Sequence, residues 1–203
     1  MTAIMLAGGR SRRLGREKAQ MTVAGESLLE RVTSRVGLLC TRVIVVAAQG
    51  QQLAAPYCGA EIIADMYPGK GPLGGIYTGL LASDSFHSLV VACDMPFLNL
   101  ELLRYMVELA PELDVVVPLS HGMPEPLHSI YSKNCLPHME RLLEQGDLRI
   151  ADFFPRVRVR LVQERDSAKF DPLHLSFFNI NTRADLERAQ ELAQREALGR
   201  PLQ

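Results

Sequence analysis

Four stretches of this chain are apolar at every position over the length of a strand: Ala3-Ile-Met-Leu-Ala7, Val43-Ile-Val-Val-Ala-Ala48, Leu89-Val-Val-Ala-Cys93 and Val115-Val-Val117. A strand that faces water on one side alternates apolar and polar residues, so a continuous run has to be covered on both faces. That happens in parallel sheets sandwiched between helices. The covering helices are legible between the runs. Leu28, Leu29, Val32, Val36 and Leu39 recur at helical spacing, as do Leu100, Leu103, Met106, Val107 and Ala110. A β-α-β-α order predicts an α/β fold with right-handed crossovers.

The second half is less regular. Leu127–Ser132 and Val157–Val162 read as strands, with a helix over Asn134–Glu144 and Gly146 between them. The whole pattern predicts a three-layer sandwich around a mainly parallel, mixed central sheet. A final helix opens at Thr182 as N-cap, with Asp185 three residues later as a variant capping box, and buries Leu186, Ala189, Leu192 and Ala193. At about 150 residues per domain, 203 residues without a repeat or a linker predict one domain over 1–203. The 22 basic and 23 acidic residues nearly cancel, which argues against a dedicated nucleic-acid binder. Cys40, Cys58, Cys93 and Cys135 form no C-x-x-C pair, and no apolar run reaches 18 residues. A cytoplasmic protein with reduced thiols and no membrane segment is expected.

The first strand runs into Gly8-Gly-Arg-Ser-Arg-Arg-Leu-Gly-Arg-Glu-Lys18. Two glycines after a strand let backbone N–H groups approach a ligand, and successive amides form an anion-binding concavity. Arg10, Arg12, Arg13, Arg16 and Lys18 crowd cations around it, so phosphate is the expected anion. The segment fits neither a P-loop nor G-x-G-x-x-G. Two aspartates follow strands read as buried, Asp65 after Glu61–Ala64 and Asp94 after Leu89–Cys93. Ligands of open α/β sheets sit beyond the carboxyl ends of strands, so both should face the crevice of the glycine turn. Such a carboxylate can hold Mg2+, or it can cap the next helix; at Asp94, Met95-Pro96 disfavours an immediate helix. Tyr67-Pro-Gly-Lys-Gly-Pro-Leu-Gly-Gly75 reads as a further glycine loop ahead of a helix around Ile76–Ala82, able to admit a base or ribose, with Lys70 adding charge. The five histidines lack ligand spacing, so no zinc site is expected. Cys93 reads as a buried strand residue.

Leu6-Ala-Gly-Gly-Arg-Ser-Arg-Arg-Leu-Gly15 followed by Lys18 resembles the opening signature of nucleotidyltransferases with the Rossmann-like nucleotide-diphospho-sugar transferase fold. Gly71–Gly75, Cys93-Asp-Met-Pro-Phe97 and Phe178-Asn-Ile-Asn-Thr182 narrow the resemblance to the molybdenum cofactor guanylyltransferases. It implies transfer of GMP from Mg-GTP to the terminal phosphate of molybdenum-bound molybdopterin, with release of pyrophosphate. It also implies that Leu6, Ala7, Gly8, Gly9 and Asp65 contact the nucleotide, Lys18 its phosphates, and Asp94 both GTP and Mg2+. Arg13 matches the signature arginine and would stabilise the leaving pyrophosphate. Asn179 and Asn181 match a segment associated with the pterin side. Contacts with other proteins of cofactor biosynthesis, or with acceptor enzymes, are the implied partnerships. Phosphate attack on phosphate needs cations and positioning more than a covalent nucleophile, so no catalytic Ser or Cys is nominated.

The chain departs from that pattern in two places. Val46-Ala-Ala-Gln49 stands where related enzymes carry an Asn near guanine, and Glu17 stands for the usual Asp before the lysine. The alternatives are a cytidylyl or sugar-phosphate nucleotidyltransferase, and a non-catalytic nucleotide-binding or cofactor-delivery protein. Pro126-Leu-His-Ser-Ile-Tyr131 is more similar to the guanylyl family than to the cytidylyl one.

Overall fold

In the computed structural model, which describes residues 1–7, 21–51, 53 and 59–198, the continuous apolar runs become the middle of one sheet. The chain opens with β1 (Thr2–Leu6), then a short antiparallel pair, β2 (Thr22–Val23) and β3 (Glu26–Ser27), and α1 (Leu28–Gly37). There follow β4 (Arg42–Ala47), β5 (Glu61–Ala64), α2 (Gly71–Ala82), β6 (His87–Ala92) and α3 (Leu100–Leu109). The remainder is β7 (Val115–Ser120), β8 (Met123–Pro124), β9 (His128–Ser132), α4 (Leu136–Gln145), β10 (Val159–Val162), α5 (Glu164–Ser167) and α6 (Arg183–Ala197). Strand order is β10-β7-β9-β6-β1-β4-β5, with β8 on β7. β1 is parallel to both β4 and β6, and β9 runs against β6 and β7. The sheet is mixed and mainly parallel.

Adjacent residues of one strand serve opposite layers. Ala3 and Met5 of β1 pack with Val32 and Val36 of α1 and Leu102 and Met106 of α3. Ile4 and Leu6 pack with Ile76 and Leu80 of α2 and Met139 and Leu142 of α4. Burial on both faces is why these strands carry no polar alternation. A third cluster joins Val23, Leu28 and Phe97 to Ile180, Ala189 and Leu192 of the C-terminal segment.

Helix starts follow local chemistry. Ser27 caps α1 in a full capping box with Glu30, and Thr182 caps α6 with Asp185 in the expected way. Gly146 ends α4 in the left-handed conformation. Four expectations need correction. Glu61–Ala64 is a strand, but it lies at the sheet edge and is largely exposed, with Ile62 39% accessible. The glycine loop ends earlier than expected, because Gly71–Gly75 already belong to α2. Val157–Val162 shortens to β10, since Ile150–Arg156 forms a 3-10 helix. The Asn134–Glu144 helix begins as a 3-10 turn and becomes α-helical at Leu136.

Candidate active site

The in-register ends of the parallel strands put their following residues along one edge. Leu6 pairs with Val46 and Ala92, and Ala47 with Ala64. Backbone bonds carry the ladder one step further: Ala7 N donates to Val46 O (2.9 Å), Asp65 N to Ala47 O (2.8 Å) and Cys93 N to Leu6 O (3.1 Å). Ala7, Asp65 and Asp94 therefore share the carboxyl edge of the sheet. From β1 the chain proceeds to β4 and β5 on one side and later crosses to β6 on the other, so this edge contains a topological switch point.

Leu6 and Ala7 are buried, at 8% and 3% exposure. Gly8 and Gly9, expected at the nucleotide, Lys18 and Arg13, expected at its phosphates and the leaving pyrophosphate, and the variant Glu17 lie outside the described residues. Gln51 bridges the neighbouring strand ends: its Nε2 donates to Ala7 O (3.2 Å) and its Oε1 accepts from Ala48 N (3.1 Å). Gln49, the residue the sequence offered beside the base, is exposed on the adjacent turn. Gln51 was missed because a single glutamine in a polar loop carries no motif.

Asp65 is half-buried and one of its oxygens has a structural task. Oδ1 accepts from Tyr67 N (2.9 Å) and from Thr78 Oγ1 (3.2 Å), and Thr78 Oγ1 in turn accepts from Met66 N (3.1 Å). The carboxylate thus closes the 65–67 turn and latches it to α2 instead of capping that helix. Lys70 occupies the N-cap of α2 without a side-chain cap bond, and Pro72 follows in the first turn, where its missing N–H costs nothing.

Asp94 is half-buried in a turn, and the next helix waits until Leu100, where Asn99 Oδ1 caps it by accepting from Leu102 N (2.9 Å). The expectation that no helix starts directly after Asp94 holds. Its carbonyl accepts from Ile180 N (3.0 Å), which draws in the Asn179–Asn181 segment from the far end of the chain. Asn179 Nδ2 donates to Phe177 O (3.1 Å), and Asn181 N to Asp185 Oδ2 (3.0 Å). Two regions 85 residues apart in sequence, by the numbers of Asp94 and Asn179, are thereby stitched together.

No cluster of three or more His, Cys, Asp or Glu side chains suited to a metal cage occurs among the described residues. A lone strand-end carboxylate suits Mg2+, which keeps water and substrate phosphate as most of its ligands, and does not suit a structural zinc. Cys40, Cys93 and Cys135 are buried, and burial raises the Cys40 thiol to about 11 and the Cys135 thiol to about 12, so neither of these two is a nucleophile at neutral pH. No helix among the described residues is long and apolar enough to cross a membrane.

This topology and edge define a nucleotidyltransferase-type α/β fold. It is shared with 2-C-methyl-D-erythritol 4-phosphate cytidylyltransferase from Thermus thermophilus, at TM-score 0.69 and 20% identity over 95% of this chain and 98% of that one. Residues 3–159 match the MobA-like NTP transferase domain family. Nearly the whole chain, 98%, aligns at 38% identity with 96% of a probable molybdenum cofactor guanylyltransferase from Pelotomaculum thermopropionicum. A molybdenum cofactor guanylyltransferase from Desulfosudis oleivorans is 35% identical over 94% of each chain. The solved molybdopterin-guanine dinucleotide biosynthesis protein A from Archaeoglobus fulgidus superposes at TM-score 0.83, with 33% identity over 96% of this chain and 100% of that one. The chain belongs to the MobA-like NTP transferase family, and it is a nucleotidyltransferase.

Proposed function

We propose that this enzyme transfers GMP from Mg-GTP to the terminal phosphate of molybdenum-bound molybdopterin and releases pyrophosphate. The observation that carries the reading is the Ile180–Asp94 backbone bond. It sets the carboxylate suited to the nucleotide's metal beside the Asn179–Asn181 segment suited to the acceptor. The names of the relatives, molybdenum cofactor guanylyltransferase and molybdopterin-guanine dinucleotide biosynthesis protein A, support a guanylyl donor and a molybdopterin-type acceptor.

In this reading the backbone of Leu6, Ala7, Gly8 and Gly9 and the Asp65 turn hold the nucleoside, and Lys18 holds the phosphates. Arg13 offsets charge as pyrophosphate leaves. Asp94 holds Mg2+, which when bound would offset the repulsion between two phosphates. Asn179 and Asn181 orient the pterin. The chain's own contribution is to bring donor and acceptor into line and to keep them there, because positioning and charge stabilisation account for most of such chemistry. Guanine is read by backbone carbonyls and N–H groups around Ala7 and the 67–71 turn, with no asparagine needed. We place the reaction in the cytoplasm, carried out by one domain over 1–203 acting on small molecules rather than on nucleic acid or a membrane.

A thermal-shift series with GTP, CTP, ATP and UTP, with and without Mg2+, tests the donor. Ligand at about a hundred times Kd stabilises by about 2.7 kcal/mol, which at this size raises Tm by roughly 5–10 °C. GTP with Mg2+ gives the largest rise. A larger rise with CTP would establish the cytidylyl alternative.

A further inference from the structure

Asp94 belongs to a connection without regular structure, and Met95, Pro96, Phe97 and Leu98 after it are all buried. Their carbonyls need donors other than water. Two arginines one turn apart on α1 provide them: Arg31 Nε donates to Pro96 O at 3.0 Å, and Arg35 Nη1 to Leu98 O at 2.9 Å. The Arg31 guanidinium also lies over the Phe97 ring, with Cζ 5.3 Å from its centroid. Arg31 is 8% exposed, a position a guanidinium tolerates only when it is paired. Its partner is Glu196 near the end of α6, which accepts from both Arg31 and Arg35, with Glu26 3.6 Å away on the other side.

The opposite flank of the same connection is bonded to the C-terminal segment. Besides Ile180 N to Asp94 O, Asn99 N donates to Ser176 Oγ (2.9 Å) and Asn99 Nδ2 to Phe170 O (2.9 Å). The family match ends at residue 159, yet the residues that fix the 94–99 connection from outside include Phe170, Ser176, Ile180 and Glu196. Exposed ion pairs contribute little. This one is buried on its Arg31 side while Glu196 stays about one-third exposed, is shared by two arginines and ends on the backbone that follows Asp94.

We infer that Arg31 and Glu196 are positioning residues for Asp94: α6 neutralises and orients the α1 arginines, and these hold the 94–99 connection so that the carboxylate meets the nucleotide-bound metal. The inference rests on the reading of Asp94 as metal ligand. Misplacement of a reacting group by about 1 Å costs on the order of a hundredfold in rate, so a modest slackening of this clamp has a measurable consequence.

The test is Mn2+ binding to the protein–GTP complex, followed by electron paramagnetic resonance, together with amide exchange of Asn99 and Ile180 in the free protein. The variants are Glu196→Gln, Arg31→Lys, Asp94→Asn and the double variant Glu196→Gln/Asp94→Asn. Glu196→Gln is expected to weaken Mn2+ about tenfold, to speed exchange at both amides about tenfold, and to leave GTP affinity without metal unchanged. Arg31→Lys keeps the charge but loses the planar fork, and is expected to weaken Mn2+ by less than Glu196→Gln does. Because both residues act through Asp94, adding Glu196→Gln to Asp94→Asn produces no further loss. Losses that multiply in the double variant, or Mn2+ affinity unchanged in Glu196→Gln, would overturn the inference. Unchanged Mn2+ affinity in Asp94→Asn alone would instead overturn the assignment of Asp94 beneath it. If Glu196→Gln does not fold, Arg31→Lys and its double with Asp94→Asn decide the question by the same criteria.

Discussion

His128 sits inside β9 at 0% exposure, edge-on to Phe177 at 5.0 Å between centroids, and neither ring nitrogen has a hydrogen-bond partner among the described residues. Burial depresses its pKa from 6.5 to about 4. A histidine lowered in the folded state is protonated first in the unfolded chain, so stability falls as pH drops from about 6.5 toward 4. At pH 5 the loss from this residue is about 2 kcal/mol, at 1.36 kcal/mol per pH unit. His128→Leu should therefore lose less stability than the wild type between pH 7.5 and 5, a difference of roughly 5 °C in Tm; equal losses would contradict this. Asp114 has the opposite sign. Burial raises its pKa, but hydrogen bonds from the Arg158 side chain and backbone, Asn134 and Ser132 outweigh that and hold it well below the usual carboxylate range. Its contribution is complete above about pH 4 and is lost as pH falls further toward the lowered value. Asp114→Asn should cost about 1.5–3 kcal/mol at pH 7, the scale of a hydrogen bond to a charged group. The gap from wild type closes below pH 4, as denaturant melts at pH 7 and pH 3 will show.

Among the elements, α2 is where local sequence and tertiary packing disagree most. A run of glycines is a poor helix former, which is why Gly71–Gly75 read as loop. Contact with β1 overrides that preference. A Cβ on Gly79 would lie 2.3 Å from Ile4 Cγ2, and one on Gly75 3.0 Å from Leu6 Cδ2, so the helix reaches its packing distance only without side chains there. Gly79→Ala should lower stability by about 1–3 kcal/mol, because overpacking against the fully buried Ile4 exceeds the helix-propensity gain. Gly74 is different, since its Cβ would meet Tyr67 Cβ at 2.9 Å and Tyr67 O at 3.0 Å, next to Asp65. Gly74→Ala should weaken nucleotide binding more than it lowers Tm, whereas Gly79→Ala does the reverse. Comparing the two by thermal melt and GTP titration checks the contrast. The central strands were legible because burial on both faces leaves an uninterrupted apolar run. The edge strand β5 was misjudged as buried because Ile62 and Ile63 are apolar whether or not a neighbour covers them. Arg31, Arg35 and Glu196 gave no signal at all, since charges spaced along a helix read as a solvated face until the fold brings a buried carbonyl to them.

On the scale of the whole molecule, the site is assembled from three distant parts of the chain. The first strand leads into Ala7, the edge strand β5 delivers Asp65 and the central strand β6 Asp94, and the C-terminal segment returns to bond Asp94 through Ile180. Asp94, Asn179 and Asn181 were visible as motifs, and the placement of Asp65 and Asp94 on one edge followed from their positions at strand ends. Their connection through Ile180 was not visible, because a backbone bond between distant segments leaves no trace in residue type. In the proposed function, that connection gives the C-terminal segment a part in the site, although the family match stops at residue 159. The central claim is acceptor-dependent guanylyl transfer at this edge, with Asp94 holding the metal. It is tested most directly by pyrophosphate release with molybdenum-bound molybdopterin as acceptor and GTP, CTP or ATP as donor, for wild type and Asp94→Asn. The account predicts release that depends on acceptor and Mg2+, kcat/KM for GTP at least about tenfold above CTP and ATP, since each unpaired buried polar group costs about 1–3 kcal/mol, and a fall of orders of magnitude in a folded Asp94→Asn protein. Release that is as fast with CTP as with GTP, or that is undiminished in Asp94→Asn, would contradict it.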